Sequence, residues 1–192
     1  MYCLILSGSA RKNSNTLRFS NAVHKLIVEQ NHESHVVDFN EYDFPNFNQK
    51  SINWEDPSSF QTLVREHFTK AQLVFVHSPE YNWMPSAEIL QFFNQFATNK
   101  HLPLFHNKVF AMAGTSSGRG GRMPAVQLSN VVNKILGFFD GKAIVSPKIF
   151  EAQFVPQVIA ADGTLLENEE FNKGLRAYVA GNLALAEALL YK

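Results

Sequence analysis

The sequence contains a single cysteine and no excess of charge of either sign. Cys3, the one cysteine among 192 residues, has no partner for a disulfide or for a thiolate metal site. Seventeen basic residues balance seventeen acidic ones, so the chain has no net field that would attract nucleic acid. These scarcities exclude a disulfide scaffold and argue against a nucleic-acid-binding protein.

Long apolar runs are also missing. No window approaches the roughly 18 consecutive apolar residues of a membrane span, and the first residues lack the basic and then apolar pattern of a secretory signal. The seven histidines have neither HxxxH nor HxH spacing, which argues against a metal site. The GxSxG elbow of serine hydrolases does not occur. We therefore expect a cytoplasmic protein that binds neither a membrane nor a metal.

Short apolar runs alternate with helical patterns along the chain. The runs predict five strands buried on both faces, at residues 2–6, 36–37, 73–76, 109–113 and 143–145. Apolar side chains at helical spacing predict five helices, with patterns that start at Phe19, Phe60, Ile89, Leu128 and Leu175. Residues 40–59 and 146–168 show neither pattern, and we expect a partner subunit to hold the second of these stretches.

Alternating strands and helices imply right-handed crossovers and a parallel sheet covered on both faces. With five strands, we expect one α/β domain over residues 1–192, a flavodoxin-like three-layer sandwich with strand order 2-1-3-4-5. Ligands of such folds bind outside the carboxyl ends of the strands. Three loops at predicted strand ends therefore become candidates for a site: residues 8–16 (the first loop), 79–84 (the second loop) and 114–121 (the third loop).

The first loop follows strand 1 and opens a helix. A helix N-terminus offers unpaired N–H groups, and the Ser, Asn and Thr side chains here could complete a cage around a phosphate. Arg11 would add charge-assisted hydrogen bonds. The loop matches neither GxxxxGK[ST] nor GxGxxG, so a terminal monophosphate fits better than a triphosphate or a dinucleotide. The alternative, a simple N-cap by Ser14 or Asn13, is compatible with anion binding.

The second loop is aromatic and polar. Tyr81, Asn82 and Trp83 offer stacking faces and an amide, which suits a flat ring system; the alternative is an ordinary connection whose prolines end one element and start the next. Glu80 has no histidine or second carboxylate near it in the segment, so we expect it to accept backbone N–H groups of a neighbouring loop or subunit. His77 is expected to be structural.

The third loop carries four glycines in eight residues. Glycine lets the backbone approach a ligand closely, and successive N–H groups can line an anion-binding concavity. Such donors would suit the pyrimidine carbonyls of a flavin and the negative charge it gains on reduction. The alternative is a glycine-serine segment that is merely flexible.

These loops contain three sequence motifs in order. GSxRxxS followed closely by Asn or Thr is matched by Gly8, Ser9, Arg11, Ser14 and Thr16. PEYN followed shortly by proline is matched by Pro79, Glu80, Tyr81, Asn82 and Pro85. A Ser/Gly-rich loop ending in paired glycines is matched by residues 115–121. Together they resemble the signatures of the NADPH-dependent FMN reductase family of flavodoxin-like proteins, which includes quinone, azo-dye and chromate reductases.

The resemblance implies which residues contact FMN. The phosphate would be held by Ser9, Arg11, Ser14, Asn15 and Thr16. The isoalloxazine would be bordered by Pro79, Glu80, Tyr81 and Asn82, and its pyrimidine edge contacted by Thr115, Ser116, Ser117 and Gly118. The chain departs from the family at Ser86, which stands where a glycine is usual, and at Asn15, where relatives often carry an aromatic residue.

The resemblance also implies an FMN-dependent oxidoreductase that passes hydride from NADPH or NADH to a quinone, an azo compound, a metal oxyanion or free flavin. Members are homodimers or homotetramers, so Trp83 and Met84 would line a pocket shared between subunits. Two alternatives stay open: a flavodoxin-like electron carrier, and a regulatory module that binds flavin without using it. The balanced charge argues against the carrier, because such carriers are usually strongly acidic. The intact first and third loops argue against the module.

Overall fold

Parallel strands form the centre of the molecule in the predicted order β2-β1-β3-β4-β5. The computed structural model describes residues 1–46, 51–98, 101–138 and 142–190. Within these ranges the strands are β1 (Tyr2–Ser7), β2 (Glu33–Asp38), β3 (Leu73–Pro79), β4 (Lys108–Thr115), β5 (Ala143–Val145) and β6 (Phe150–Ala152). The flavodoxin-like strand order is therefore confirmed.

The sixth strand was not predicted. β5 pairs with the first half of β4, where Lys108 lies opposite Ala143, and β6 pairs with the second half, where Thr115 lies opposite Ala152. The expectation that residues 146–168 are irregular is therefore wrong for residues 150–152, which form β6. A three-residue strand with Glu151 at its centre has no apolar run, so its pairing depends on a distant strand and leaves no local pattern.

Five long helices confirm the predicted alternation. They are α1 (Asn15–Glu29), α2 (Ser59–Lys70), α3 (Ala87–Phe96), α4 (Arg122–Leu136) and α6 (Glu169–Leu190). A single turn, α5 (Val155–Val158), follows β6, and short 3-10 helices cover Phe39–Glu41 and Leu102–Phe105. In the described part of the chain, no helix is both long enough and apolar enough to cross a membrane.

The helices form a layer on each face of the sheet. Phe19, Val23 and Leu26 of α1 pack with the buried face of α6 against one side of the sheet. On the other side α2, α3 and α4 enclose a phenylalanine-rich cluster in which rings such as Phe68 and Phe92 meet edge to face, 5.7 Å apart. With both faces covered, the carboxyl ends of β1, β3 and β4 are left to carry the three loops.

Candidate functional site

The three loops enclose a cavity of about 300 Å³ at the carboxyl ends of β1, β3 and β4. Its wall includes the predicted residues Ser9, Arg11, Ser14, Asn15 and Thr16 of the first loop, Pro79, Glu80 and Tyr81 of the second, and Thr115, Ser116 and Ser117 of the third. Lys12 and Asn13 also line it, and the prediction did not single them out as ligand contacts. The fold thus brings together loops that lie far apart in the sequence.

Three of the predicted residues, all within the described ranges, lie outside this wall. Gly118 does not line the cavity, and its carbonyl accepts the N–H of Phe154 at 3.0 Å. Asn82 and Trp83 occupy the centre of a tight turn in which Tyr81 and Met84 exchange two backbone hydrogen bonds of 3.0 Å. Both central residues have positive φ, 49° and 62°, and the Trp83 side chain is 70% exposed.

The first loop leads directly into α1. Of the two candidate N-caps, Ser14 and Asn13, the structure has Ser14, whose hydroxyl accepts the N–H of Leu17 at 3.0 Å. Asn15 and Thr16 then form the first helical turn, where backbone N–H groups have no partner within the helix. Because these residues line the cavity, the positive end of the helix dipole lies at the cavity wall.

The first and second loops touch across the cavity. The Ser9 hydroxyl lies 3.1 Å from the phenol oxygen of Tyr81, and it also accepts the N–H of Arg11 at 3.3 Å. The Arg11 guanidinium stands over the Tyr81 ring, 4.6 Å from its centroid. A cation and an aromatic face therefore meet where the first loop contacts the second.

A buried hydroxyl pair joins the first and third loops. The side-chain oxygens of Thr16 and Thr115 lie 2.8 Å apart although the residues are 99 positions apart in the sequence. Thr115 also extends its hydroxyl toward the carbonyl of Ser78 at 3.4 Å. When the Thr115 proton points to Ser78, the Thr16 hydroxyl donates to Thr115 and both hydroxyls keep only lone pairs. A ligand acceptor in the cavity that both residues line would take a proton from either hydroxyl by replacing one of these bonds.

Glu80 holds the third loop. Its carboxylate accepts the N–H of Gly121 at 2.6 Å, and its own N–H donates to the carbonyl of Thr115 at 2.9 Å. Gly121 has φ of 97°, and a Cβ at the preceding Gly120 would lie 2.5 Å from Glu80 Oε1, so the paired glycines are required for this contact. The prediction that Glu80 accepts a backbone N–H of a neighbouring loop is confirmed.

His77 lies behind the first loop, fully buried. Its Nδ1 is 2.8 Å from the Ser20 hydroxyl, and its carbonyl accepts the N–H of Gly8 at 2.8 Å. Burial lowers the pKa of the imidazole to about 3, so the ring is neutral at physiological pH. These contacts assign His77 to the support of the loop, as predicted.

The arrangement fits a ligand with a phosphate at one end and a flat ring at the other, as in FMN. Hydroxyls, amides and two cations form the wall at the first loop, and the carboxylate of Glu80 is turned to the third loop. Pro79 and Tyr81 supply the flat surfaces. Among the described residues, no three His, Cys, Asp or Glu side chains are placed to hold a metal ion.

Known proteins share this sequence pattern and fold. The sequence model of the family described as NADPH-dependent FMN reductase matches residues 1–150. No curated protein sequence matches the chain. Azoreductases are among the solved structures with a similar fold.

Three further solved structures show the extent of the likeness. FerB, a flavoenzyme NAD(P)H:(acceptor) oxidoreductase from Paracoccus denitrificans, is 22% identical over 98% of both chains, with a TM-score of 0.77. RosB, solved with the bound intermediate 8-demethyl-8-formylriboflavin-5'-phosphate, is 18% identical over 98% of this chain and 80% of its own, with a TM-score of 0.69. An oxidoreductase from Corynebacterium diphtheriae is 16% identical over 100% and 97%, with a TM-score of 0.62.

At these identities the solved structures establish the fold, and the family match covers the sequence from β1 to the start of β6, including all three loops. The chain therefore belongs to the NADPH-dependent FMN reductase family, and it is an FMN-dependent oxidoreductase that takes electrons from NAD(P)H.

Proposed function

We propose that the chain forms one flavin-binding domain, residues 1–192, that passes hydride from NAD(P)H through FMN to a small acceptor: a quinone, an azo compound, a metal oxyanion or free flavin. The observation that carries this proposal is the convergence of the three loops on one cavity. The first loop offers hydroxyls, amides and cations, which match the phosphate of FMN, and the second offers the flat side chains of Pro79 and Tyr81, which match its ring.

The first loop is proposed to hold the phosphate of FMN. Ser9, Ser14 and Thr16 supply hydroxyls, Asn15 an amide, and Arg11 a guanidinium. Lys12 and Asn13 add a further cation and amide to the same wall. A dianionic phosphate at this position would also gain from the helix dipole of α1.

The second and third loops are proposed to hold the ring. Pro79, Glu80, Tyr81 and Asn82 would border the isoalloxazine. Its pyrimidine edge would contact Thr115, Ser116, Ser117 and Gly118. The side-chain hydroxyls of Ser116 and Ser117 would be the donors, since the N–H of Gly118 already donates to the Ser116 hydroxyl at 3.2 Å. Bound FMN supplies the hydride chemistry, and the residues of the chain orient it and bias its charge. The negative charge that the ring gains on reduction would be stabilised by these third-loop donors.

Trp83 is proposed to select the acceptor. Its ring is held outside the cavity by a turn that contains two residues of positive φ, next to the Tyr81 that lines the cavity. An exposed indole beside an exposed flavin face would contact a flat acceptor by stacking. We also propose a homodimer or homotetramer in which Trp83 and Met84, both exposed in the single chain, contribute to a pocket between subunits.

The proposal is tested by the absorbance spectrum of the purified protein before and after anaerobic addition of NADPH. We expect a flavin spectrum, its rapid loss in stopped-flow mixing with NADPH, and its return on addition of a quinone or an azo dye. Repeating the reduction with NADH gives the preference for the electron donor.

Other outcomes would favour the alternative functions. A bound flavin that NADPH does not reduce would favour an electron carrier. A colourless protein whose melting temperature FMN does not raise would favour a regulatory module that keeps the fold without using a flavin. Either result would contradict the proposal. Sedimentation of the holoprotein tests the oligomer, and a monomer would contradict that part.

A further inference from the structure

Ser86 connects α3 to the first loop. It is the N-cap of α3 and is fully buried. Its hydroxyl donates a short hydrogen bond to the carbonyl of Gly8 and accepts the N–H of Ile89 at 3.3 Å. Its own N–H donates to the hydroxyl of Ser78 at 3.0 Å. The backbone N–H of Ser86 thus joins it to the end of β3, and its hydroxyl joins the start of α3 to the start of the first loop.

The Gly8 backbone is packed tightly against these elements. Its N–H donates to the carbonyl of His77 at 2.8 Å, and a Cβ at this position would lie 2.8 Å from that carbonyl oxygen and 3.0 Å from Cδ1 of Ile89. The next N–H, that of Ser9, donates to the carbonyl of Ser7 at 2.9 Å. The peptide group between Gly8 and Ser9 is therefore fixed at both its oxygen and its nitrogen.

The orientation of this peptide group determines where the first loop points. Ser9 follows it directly, and the Ser9 hydroxyl accepts the N–H of Arg11 at 3.3 Å. A rotation of the peptide group would displace this hydroxyl and the start of the turn that presents Arg11 to the cavity. Other first-loop residues in the wall, such as Ser14, are anchored by α1 instead. Ser86 consequently acts on the part of the loop that α1 does not fix.

We propose that Ser86, which lies outside the cavity wall, is a positioning residue for the phosphate of FMN. Through the carbonyl of Gly8 it holds Ser9 and Arg11 in the geometry that binds a phosphate monoester. The proposal rests on the placement of the FMN phosphate on the first loop. It predicts that loss of the Ser86 hydroxyl weakens binding of the phosphate and leaves binding of the ring almost unchanged.

The experiment compares FMN with riboflavin, which has the same ring and no phosphate. Dissociation constants of both are measured by flavin fluorescence on flavin-free protein for wild type and Ser86→Gly. Glycine is tolerated at an N-cap, so the substitution removes the hydroxyl with little loss of helix stability. Ser86→Thr keeps the hydroxyl and is expected to keep the wild-type ratio of the two constants.

Ser58→Gly is the matched control. Ser58 is the N-cap of α2, where its hydroxyl accepts the N–H of Gln61 at 3.0 Å, and it does not line the cavity. It therefore reports the effect of removing a capping serine without touching the first loop. Circular dichroism establishes that every variant is folded before its affinities are compared.

We expect Ser86→Gly to reduce the preference for FMN over riboflavin by about five- to tenfold, the effect of one lost buried hydrogen bond. The affinity for riboflavin should change less than about twofold, and Ser58→Gly should leave the preference unchanged. An unchanged preference in folded Ser86→Gly would overturn the role of Ser86 alone. A wild-type protein that binds riboflavin as tightly as FMN would overturn the placement of the phosphate, and the role of Ser86 with it.

Discussion

The N–H of Gly121 donates to the carboxylate of Glu80 at 2.6 Å, and this contact joins the second loop to the third. A carboxylate committed to a backbone donor in this way is a support for the loop rather than a free acid. From the sequence alone, the third loop could also have been a merely flexible segment. The contact with Glu80 fixes this loop at its last residue, Gly121. The donors that it offers to the cavity are set in place before a ligand arrives.

Glu80→Gln tests this support role. The amide keeps the shape of the side chain but loses the charge of the acceptor, so we expect a loss of about 1–2 kcal/mol in the free energy of unfolding and weaker FMN binding. With saturating FMN, the pH profile of kcat should keep its shape. Loss of an ionisation from that profile would show that Glu80 acts as an acid or base.

Glu29→Gln is the control for this change. Glu29 accepts a hydrogen bond of 2.7 Å from Arg176 and does not line the cavity. Its substitution removes a charge-assisted hydrogen bond of similar length, and both residues lie on helices outside the third loop. We expect it to leave the affinity for FMN unchanged.

Trp83→Ala is expected to alter the choice of acceptor. Removing a stacking surface should change the ratio of kcat/KM between a quinone and an azo dye by about three- to tenfold. Because the side chain is 70% exposed, stability and flavin content should stay close to wild type. Phe138→Ala is the control, because it removes a ring that is 73% exposed just after the end of α4. It should change neither the ratio of kcat/KM between the acceptors nor the flavin content. Loss of flavin in Trp83→Ala would show that the indole belongs to the cofactor pocket.

His77 should make the fold sensitive to acid. Burial lowers the pKa of its imidazole to about 3, and the unfolded imidazole has a pKa near 6.5. Between these pH values the unfolded chain binds a proton that the folded chain does not, so stability falls as the pH falls through this window. Relative to His77→Gln, wild type should lose up to about 1.4 kcal/mol per pH unit below pH 6. Urea titrations at pH 4 to 7 measure the difference, and parallel curves for the two proteins would contradict the prediction.

Lys108 should make the stability of the fold depend on pH in the alkaline range. Its ammonium group is buried near the end of α2, where it donates to the carbonyls of Ala71 at 2.5 Å and Thr69 at 3.4 Å. Burial lowers the pKa of this lysine to about 8, against about 10.4 in an unfolded chain. The folded chain therefore releases its proton first, and the free energy of unfolding rises with pH between these values.

Lys108→Met removes this titration while keeping an unbranched chain of similar length. The stability of wild type minus that of the variant should increase between pH 8 and pH 10, by at most about 1.4 kcal/mol per unit. Denaturant unfolding of both proteins at pH 7.5, 8.5 and 9.5 gives the values. A difference that is independent of pH would show that the amine is already neutral, or is hydrated, at pH 7.5.

The sequence predicts the strands β1 to β5 from their apolar runs, and three of them, β1, β3 and β4, are buried on both faces, as in a parallel sheet. β2 and β5 are only partly buried, contrary to the expectation. The three loops are predicted for the same reason, since a loop directly after such a strand lies at the ligand-binding edge. β6 could not be predicted in this way. Its three residues acquire a strand conformation from the register that sets Thr115 opposite Ala152.

The contacts between loops could not be predicted. Thr16 and Thr115 meet over 99 residues, and Ser86 and Gly8 over 78. Both pairs depend on how far each strand extends before its loop begins, and the apolar pattern locates strand ends only to within a few residues. Composition indicated what the cavity could bind, whereas strand register decides which side chains hold the loops in place.

β5 and β6 each pair with one half of β4, and this arrangement also affects the tendency of the chain to self-associate. A long unpaired strand edge is a template for an added strand from another chain. Here the outer side of β4 is covered by two three-residue strands in succession. The N–H of Ser146 still donates to Phe110 of β4, and residues 147–149 separate the two strands. Neither strand offers an uninterrupted row of backbone groups. This border of the sheet therefore discourages fibril-like growth.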